Sequence, residues 1–147
     1  MKILVINGPN LNFLGIREKD IYGTKDYEFL KERIQDKADL MGVDTELFQS
    51  NSEGEIIDRI QLAYHEKVDG IIINPGGLTH TSVALHDALA SVSNIIKIEV
   101  HISNINSRED FRKNSITAGA CDGQISGLGI NGYLYAMEAV ADLVNLS

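Results

Sequence analysis

MKILVINGPNLNFLGIREKDIYG (residues 1–23) begins with a short apolar run and continues with a long polar one. The first part, KILVI (2–6), predicts a buried strand. The chain then runs from Asn7 to Gly23 through asparagines, an arginine and a tyrosine before a helical pattern starts. Connections in compact domains have a median of about 4–6 residues, and longer ones are usually binding loops or lids. We therefore expect a mobile lid with Gly15 and Gly23 as its flexible points; a surface excursion built from turns is the alternative.

Short apolar runs alternate with helical patterns along the rest of the chain, which is typical of βαβ units around a parallel sheet. Strands are predicted at 2–6, 44–50, 69–74, 95–100 and 123–127. Right-handed crossovers between them predict an α/β fold, a flavodoxin-like three-layer sandwich with the strand order 2-1-3-4-5. We expect residues 1–147 to form a single domain.

Four helices are predicted between and after these strands. The first has an apolar face from Tyr27 to Met41 and ends at Gly42, a residue suited to a helix C-terminus. The second follows Ser52 and Glu55, which have the spacing of a capping box. The third and fourth are predicted over 82–91 and 132–144.

Composition, net charge and cysteine content argue against several classes of protein. The hydrophobic content of 44% and charged content of 23% are typical of a globular protein and exclude disorder. The net charge of -8 argues against nucleic acid, and no apolar run approaches the roughly 20 residues of a membrane helix. Cys121 is the single cysteine and no targeting segment is recognisable, so a cytoplasmic protein without a disulfide is expected. If the ligand is anionic, cationic groups at the binding site itself must balance its charge, since the chain as a whole is negative.

Unusual polar residues concentrate in three segments, each after a predicted strand. They are the opening loop, NPGGLTHTS (74–82) and HISNINSREDFR (101–112). In folds of this kind, ligands bind beyond the carboxyl ends of the strands. The three segments are therefore predicted to meet at one edge of the sheet.

Arg17 and Tyr22 in the opening loop suggest a base. An unperturbed tyrosine has a pKa of about 10, so forming its phenolate at neutral pH costs roughly 4 kcal/mol. One guanidinium about 4 Å away, at an effective dielectric constant near 20, offsets a similar roughly 4 kcal/mol before desolvation. A tyrosine beside an arginine can thus act as a base, whereas a loop tyrosine that simply packs is the alternative.

The second segment combines Asn74 at a strand end with His80 near a helix start. Hydroxyl residues there can cap the helix, and free amides at a helix start can meet an anion. A helix-start histidine bonded to a backbone group is the other interpretation of His80. His86 and Asp87, further along, are more typical of surface or interface residues on local evidence.

The third segment places Glu99 and His101 two residues apart, on one face of a strand. A carboxylate there can hold the imidazole in one orientation, which suits a general acid. The alternative is a histidine at a strand end whose ring nitrogens simply have their hydrogen bonds satisfied there. Ser107 is predicted to cap a short helix from which Arg112 points toward the ligand or into solvent.

The absence of several motifs argues against dinucleotide, nucleoside triphosphate, serine hydrolase and zinc chemistry. The chain has no G-x-G-x-x-G after the first strand, no G-x-x-x-x-G-K-[ST], no G-x-S-x-G and no CxxC. Its histidines lack metal-ligand spacing. We therefore expect acid–base chemistry with no cofactor and no metal.

Taken together, the three segments and GQISGLGINGY (123–133) resemble the type II 3-dehydroquinate dehydratase family over essentially the whole chain. The resemblance implies a cytoplasmic homododecamer built from trimers that removes water from 3-dehydroquinate, giving 3-dehydroshikimate in the shikimate pathway. From the net charge and the short apolar runs, neither nucleic acid nor a membrane is expected as a partner.

The resemblance also implies roles for individual residues. Tyr22 matches the base, Arg17 the group that keeps it ionised, and His101 the acid, with Glu99 behind it. Asn10 matches the residue that holds a water against the enolate. The substrate-binding positions implied are Asn74, His80, Ile102, Ser103 and Arg112, together with Asp87, which reaches a neighbouring subunit's site.

The chain departs from the family pattern at Gly77 and Leu78, where alanine and tyrosine are common, and at His86, where arginine is common. These departures concern packing beside the site and the subunit contact. Two other functions stay open at this point: a flavodoxin-like module that binds flavin or phosphate without turnover, and an assembly protein that has lost activity.

Overall fold

A computed structural model of the chain describes residues 1–16 and 25–146. Its strands are β1 (Lys2–Asn7), β2 (Asp44–Gln49), β3 (Gly70–Asn74), β4 (Ile96–His101) and β5 (Gly123–Ser126). They form one parallel sheet in the order β2-β1-β3-β4-β5. The predicted flavodoxin-like topology is confirmed, and every strand bound lies within one residue of its prediction.

The four predicted helices are also present. They are α1 (Tyr27–Met41), α2 (Glu53–His65), α3 (Val83–Ser91) and α4 (Asn131–Leu146). Gly42 ends α1 in the left-handed region at φ 68°, where a glycine avoids the strain of a side chain. Ser82 lies outside α3 as its N-cap and accepts a hydrogen bond from the Leu85 amide at 2.9 Å.

Two capping predictions need correction. Ser52 Oγ accepts from the Glu55 amide, but the Glu55 carboxylate accepts from Ser50 Oγ at 2.9 Å instead of returning to Ser52. Ser107 does not cap a helix: it ends a short 3₁₀ turn (Ile105–Ser107), and its hydroxyl donates to the Asn104 carbonyl at 3.0 Å. A serine hydroxyl that bonds nearby backbone in this way competes with capping the next helix.

The sheet is covered on both faces. One core cluster joins it to α1 and α4, and a second joins it to α2 and α3. All five residues of the central strand β3 are consequently buried, which explains its unbroken apolar run GIII. Gly70 lets α4 approach the sheet, because a Cβ there would lie 2.3 Å from Val140 Cγ1. Within the described ranges, no helix is long and apolar enough to cross a bilayer.

Candidate functional site

A small cleft lies at the carboxyl edge of the sheet, where the segments after β1, β3 and β4 meet. Its lining residues are Leu11, Asn74, Gly76, Gly77, His80, His101, Ile102, Ser103, Ile105, Arg108 and Arg112. Six of the predicted site residues (Asn74, His80, His101, Ile102, Ser103 and Arg112) are therefore together in one place. The parallel strand order produces this convergence, since β1, β3 and β4 are neighbours and end at the same edge.

His101 and Glu99 form a buried pair at the end of β4. His101 Nε2 lies 2.9 Å from Glu99 Oε2, with side chains that are 6% and 0% exposed. Three further groups donate to the same carboxylate: Ser115 Oγ at 2.8 Å, Gln124 Nε2 at 3.0 Å, and Thr117 Oγ1. Because an ionised carboxylate only accepts hydrogen bonds, Nε2 of His101 is the donor of the pair. Its Nδ1 is left as the nitrogen that can exchange a proton elsewhere.

The surrounding donors keep Glu99 ionised. Burial by itself would raise the pKa of Glu99, but hydrogen bonds from His101, Thr117 and Ser115 outweigh burial and hold the pKa below its ordinary value. A depressed folded-state pKa stabilises the fold above the ordinary carboxyl pKa. This stabilisation disappears as the pH falls through the folded-state value.

We predict that Glu99→Gln lowers the free energy of unfolding at neutral pH by about 2–4 kcal/mol, since one amide oxygen cannot accept from all four donors, of which His101 and Thr117 are buried. The difference should shrink as the pH falls through the lowered folded-state pKa of Glu99, because the carboxylate is then protonated in the native protein too. Urea unfolding over a pH series from neutral to acidic tests this. Glu138→Gln is the control, because its ion pair with Lys37 is exposed and contributes within about 0.5 kcal/mol. A difference that is unchanged on acidification would contradict the predicted role of ionisation.

His80 faces the cleft from the turn after β3. Its Nδ1 lies 2.8 Å from the carbonyl oxygen of Asn114, so Nδ1 donates and Nε2 is free of that bond. The ring also packs edge-on against Phe111, with centroids 5.8 Å apart. The alternative interpretation of His80 as a backbone-bonded histidine is thus true, and the same bond orients the ring in the cleft.

Two guanidinium groups give one side of the cleft a positive charge. Arg112 Nε lies 3.2 Å from Glu109 Oε1, and Arg108 Nη1 donates to Ser103 Oγ at 3.3 Å. Glu109 is not among the lining residues; it lies near both guanidinium groups, and the hydrogen bond from Arg112 lowers the pKa of Glu109. A protein of net charge -8 thereby presents local cations suited to a carboxylate ligand.

Among the predicted site residues that the structure describes, three do not line the cleft: Asn10, Asp87 and Glu99, which bonds to His101. Asn10 is exposed and has a φ of 70°, and its backbone N–H donates to Asn51 Oδ1 at 2.9 Å. Asp87 lies on α3 with 72% of its side chain exposed, 3.1 Å from His86 Nδ1. Arg17 and Tyr22 fall outside the described residues, as does Gly23. Gly15 has φ 85°, and a Cβ there would lie 2.8 Å from Asp26 Cα.

Sequence reasoning missed several residues of the site. Arg108 lies in the segment HISNINSREDFR, four residues before Arg112, but only Arg112 was predicted to bind the ligand. Gln124 is the direct cross-strand neighbour of Glu99 in the β4–β5 register, which becomes visible only once the register is known. Ser115 and Thr117 approach Glu99 from an irregular segment that carries no recognisable sequence signal.

The departure at Gly77 has a simple structural consequence. An added Cβ at Gly77 would meet nothing within 4 Å, so glycine here leaves open space in the cleft wall that alanine would fill. Leu78 points the other way and packs against the core between the sheet and the helices α2 and α3.

Two further features lie near the cleft and the Glu99–His101 pair. A larger cavity of about 800 Å³ shares Ile102, Ser103 and Arg108 with the cleft, but His101 is not among its lining residues. Burial, together with the nearby Glu99, raises the pKa of the Cys121 thiol to about 12, so this thiol is protonated at neutral pH and is a poor nucleophile.

Comparison with known proteins agrees with this arrangement. The family model described as "Dehydroquinase class II" matches residues 1–141. A 3-dehydroquinate dehydratase of Lachnospira eligens is 65% identical over 143 residues, covering 97% of each chain. One of Lachnoclostridium phytofermentans is 60% identical, covering 97% of this chain and 98% of the relative. The crystal structure of type II dehydroquinase from Butyrivibrio crossotus has a TM-score of 0.95 and 58% identity, covering 96% of this chain and 97% of that one. The chain therefore belongs to the class II dehydroquinase family.

Proposed function

We propose that this protein removes water from 3-dehydroquinate to give 3-dehydroshikimate, as a step of the shikimate pathway that leads to aromatic amino acids. Membership of the class II dehydroquinase family over residues 1–141 supports the reaction. The observation that carries the proposal in the structure is the buried Glu99–His101 pair beside a cationic cleft. A ring carboxylate suits the cations, and a departing hydroxyl needs a proton donor.

The reaction proposed is a stepwise elimination through an enolate. A base removes a proton from the carbon next to the ketone, and the ketone oxygen takes up the negative charge. The enolate then expels the β-hydroxyl, which leaves as water after receiving a proton. The ketone itself stores the charge, so this chemistry requires neither a metal nor a Schiff-base lysine.

Each proposed role falls to a side chain predicted from the sequence. Tyr22 is the base and Arg17 keeps it ionised, as the family pattern implies and as the charge of a guanidinium beside a phenol allows. His101 is the acid, and the hydrogen bond from its Nε2 to Glu99 supports delivery of the proton from Nδ1. Asn10 holds a water against the enolate.

The remaining proposed residues bind substrate. Those that line the cleft are Asn74, His80, Ile102, Ser103 and Arg112. Asp87 is proposed to reach the site of a neighbouring subunit, which its exposure on α3 allows. We also propose a cytoplasmic homo-oligomer, a dodecamer built from trimers, in which residues 1–147 form one domain. The single continuous sheet supports the one-domain proposal.

A direct assay tests the reaction. Purified protein mixed with 3-dehydroquinate should produce the ultraviolet absorbance of a conjugated enone, unchanged by a chelator or by borohydride. No absorbance from folded, oligomeric protein would contradict the proposed function. Release of a flavin or phosphate on denaturation, in the absence of turnover, would favour the binding-module alternative.

A further inference from the structure

Three buried polar side chains form a hydrogen-bonded row beneath the cleft. Asn7 ends β1 and Asn74 ends β3, and the two are register partners. Tyr133 of α4 reaches between them: its hydroxyl donates to Asn7 Oδ1 at 2.6 Å and accepts from Asn74 Nδ2 at 3.0 Å. Asn7 and Tyr133 are 0% exposed and Asn74 is 4% exposed. Of the three, only Asn74 lines the cleft.

The direction of these hydrogen bonds fixes which way the Asn74 amide points. A tyrosine hydroxyl has one proton, and here it goes to Asn7 Oδ1, so the same oxygen must accept from Asn74 Nδ2. At the other end of the amide, Asn74 Oδ1 accepts from the Gly76 amide at 3.1 Å. Reversing the amide would break both buried bonds at once.

The Asn7 end of the row is held in turn by α1. Asn7 Nδ2 donates to the hydroxyl of Tyr27, the first residue of α1, at 3.3 Å. This assigns the Asn7 nitrogen as the outward end and its oxygen as the acceptor for Tyr133. Tyr27 is only partly buried, so water can replace its hydroxyl there.

We propose that Tyr133, held by Asn7, is a positioning residue that sets the Asn74 amide in one orientation toward the substrate. This inference rests on the proposed function, in which Asn74 binds substrate. Tyr133 itself is fully buried and does not line the cleft. Because it acts on a binding group, its loss should weaken ground-state and transition-state binding equally, which raises KM while kcat changes little.

Tyr133→Phe tests the proposal, since it removes the hydroxyl and keeps the ring. KM for 3-dehydroquinate should rise about tenfold, the fold-change equivalent to one hydrogen bond, with kcat within about twofold. Tyr27→Phe makes the same chemical change at the outer end of the row and should leave KM within about twofold. A purely structural role for Tyr133 would lower the melting temperature and leave KM unchanged, which would overturn the inference.

A double-mutant cycle shows whether Tyr133 acts through Asn74. Asn74→Ala alone should raise KM, and Tyr133→Phe added to it should raise KM no further. Additive effects would contradict the inference. If Tyr133→Phe fails to fold, Asn7→Ala interrupts the same row and should also raise KM, again without effect in the Asn74→Ala background. Absence of turnover by the unaltered protein would instead count against the dehydratase itself.

Discussion

His101→Gln is expected to lower kcat about a hundredfold to ten-thousandfold, the usual contribution of a general acid. The glutamine amide can still donate to Glu99, as His101 Nε2 does at 2.9 Å, so the buried carboxylate keeps a partner. What glutamine lacks is a proton that it can give to a departing hydroxyl. Steady-state kinetics with 3-dehydroquinate, together with thermal melting, measure the two effects separately.

A matched control for this variant is His65→Gln. His65 is at the end of α2, exposed and outside the cleft, so the same chemical change there should leave kcat unaltered. Should His101→Gln retain near-normal kcat in folded protein, another group must supply the proton. Loss of kcat in both variants would point to a general effect of histidine replacement on the assembly.

Tyr22→Phe is expected to reduce kcat by a comparable factor of about a hundred to ten thousand. Phenylalanine has nearly the same shape but no oxygen that can take the substrate proton. A non-reacting substrate analogue should therefore still bind, with a Kd measured by calorimetry within about threefold of the unaltered protein, since base removal costs transition-state stabilisation only.

Tyr135→Phe is the control for Tyr22→Phe, because Tyr135 on α4 is exposed and is not among the residues that line the cleft. It should be kinetically silent. Turnover retained by Tyr22→Phe would mean that the base is misassigned. Turnover lost together with analogue binding would mean that Tyr22 serves binding instead of proton removal.

Much of the fold could be predicted because it depends on local patterns. The run IIINPGG predicts a buried strand and a turn, and the spacing of Leu30, Ile34 and Ala38 predicts a helix with one apolar face. These signals repeat in alternation, and parallel sheets admit few connections between such elements. The predicted strand order is therefore correct, and the helix bounds that were predicted lie within one or two residues of the observed ones.

Local predictions failed where a side chain had a choice of nearby partners. Ser107 and Glu55 both have the spacing of capping residues, yet Ser107 bonds the Asn104 carbonyl and Glu55 bonds Ser50. The competing bonds are also local and of similar strength. Residue spacing cannot decide between them, because the path of the backbone determines which partner is in reach.

By itself the sequence determined the fold class, the family resemblance and the residue types that carry acid–base chemistry. Only the tertiary structure decided how those groups are held: four donors on Glu99, one nitrogen of His101 left for proton exchange, and the Asn74 amide fixed through Tyr133. The partners of Glu99 and Asn74 come from positions up to 59 residues away. Which donor reaches which acceptor depends on the distances between such positions. The packing of the helices on the sheet sets those distances.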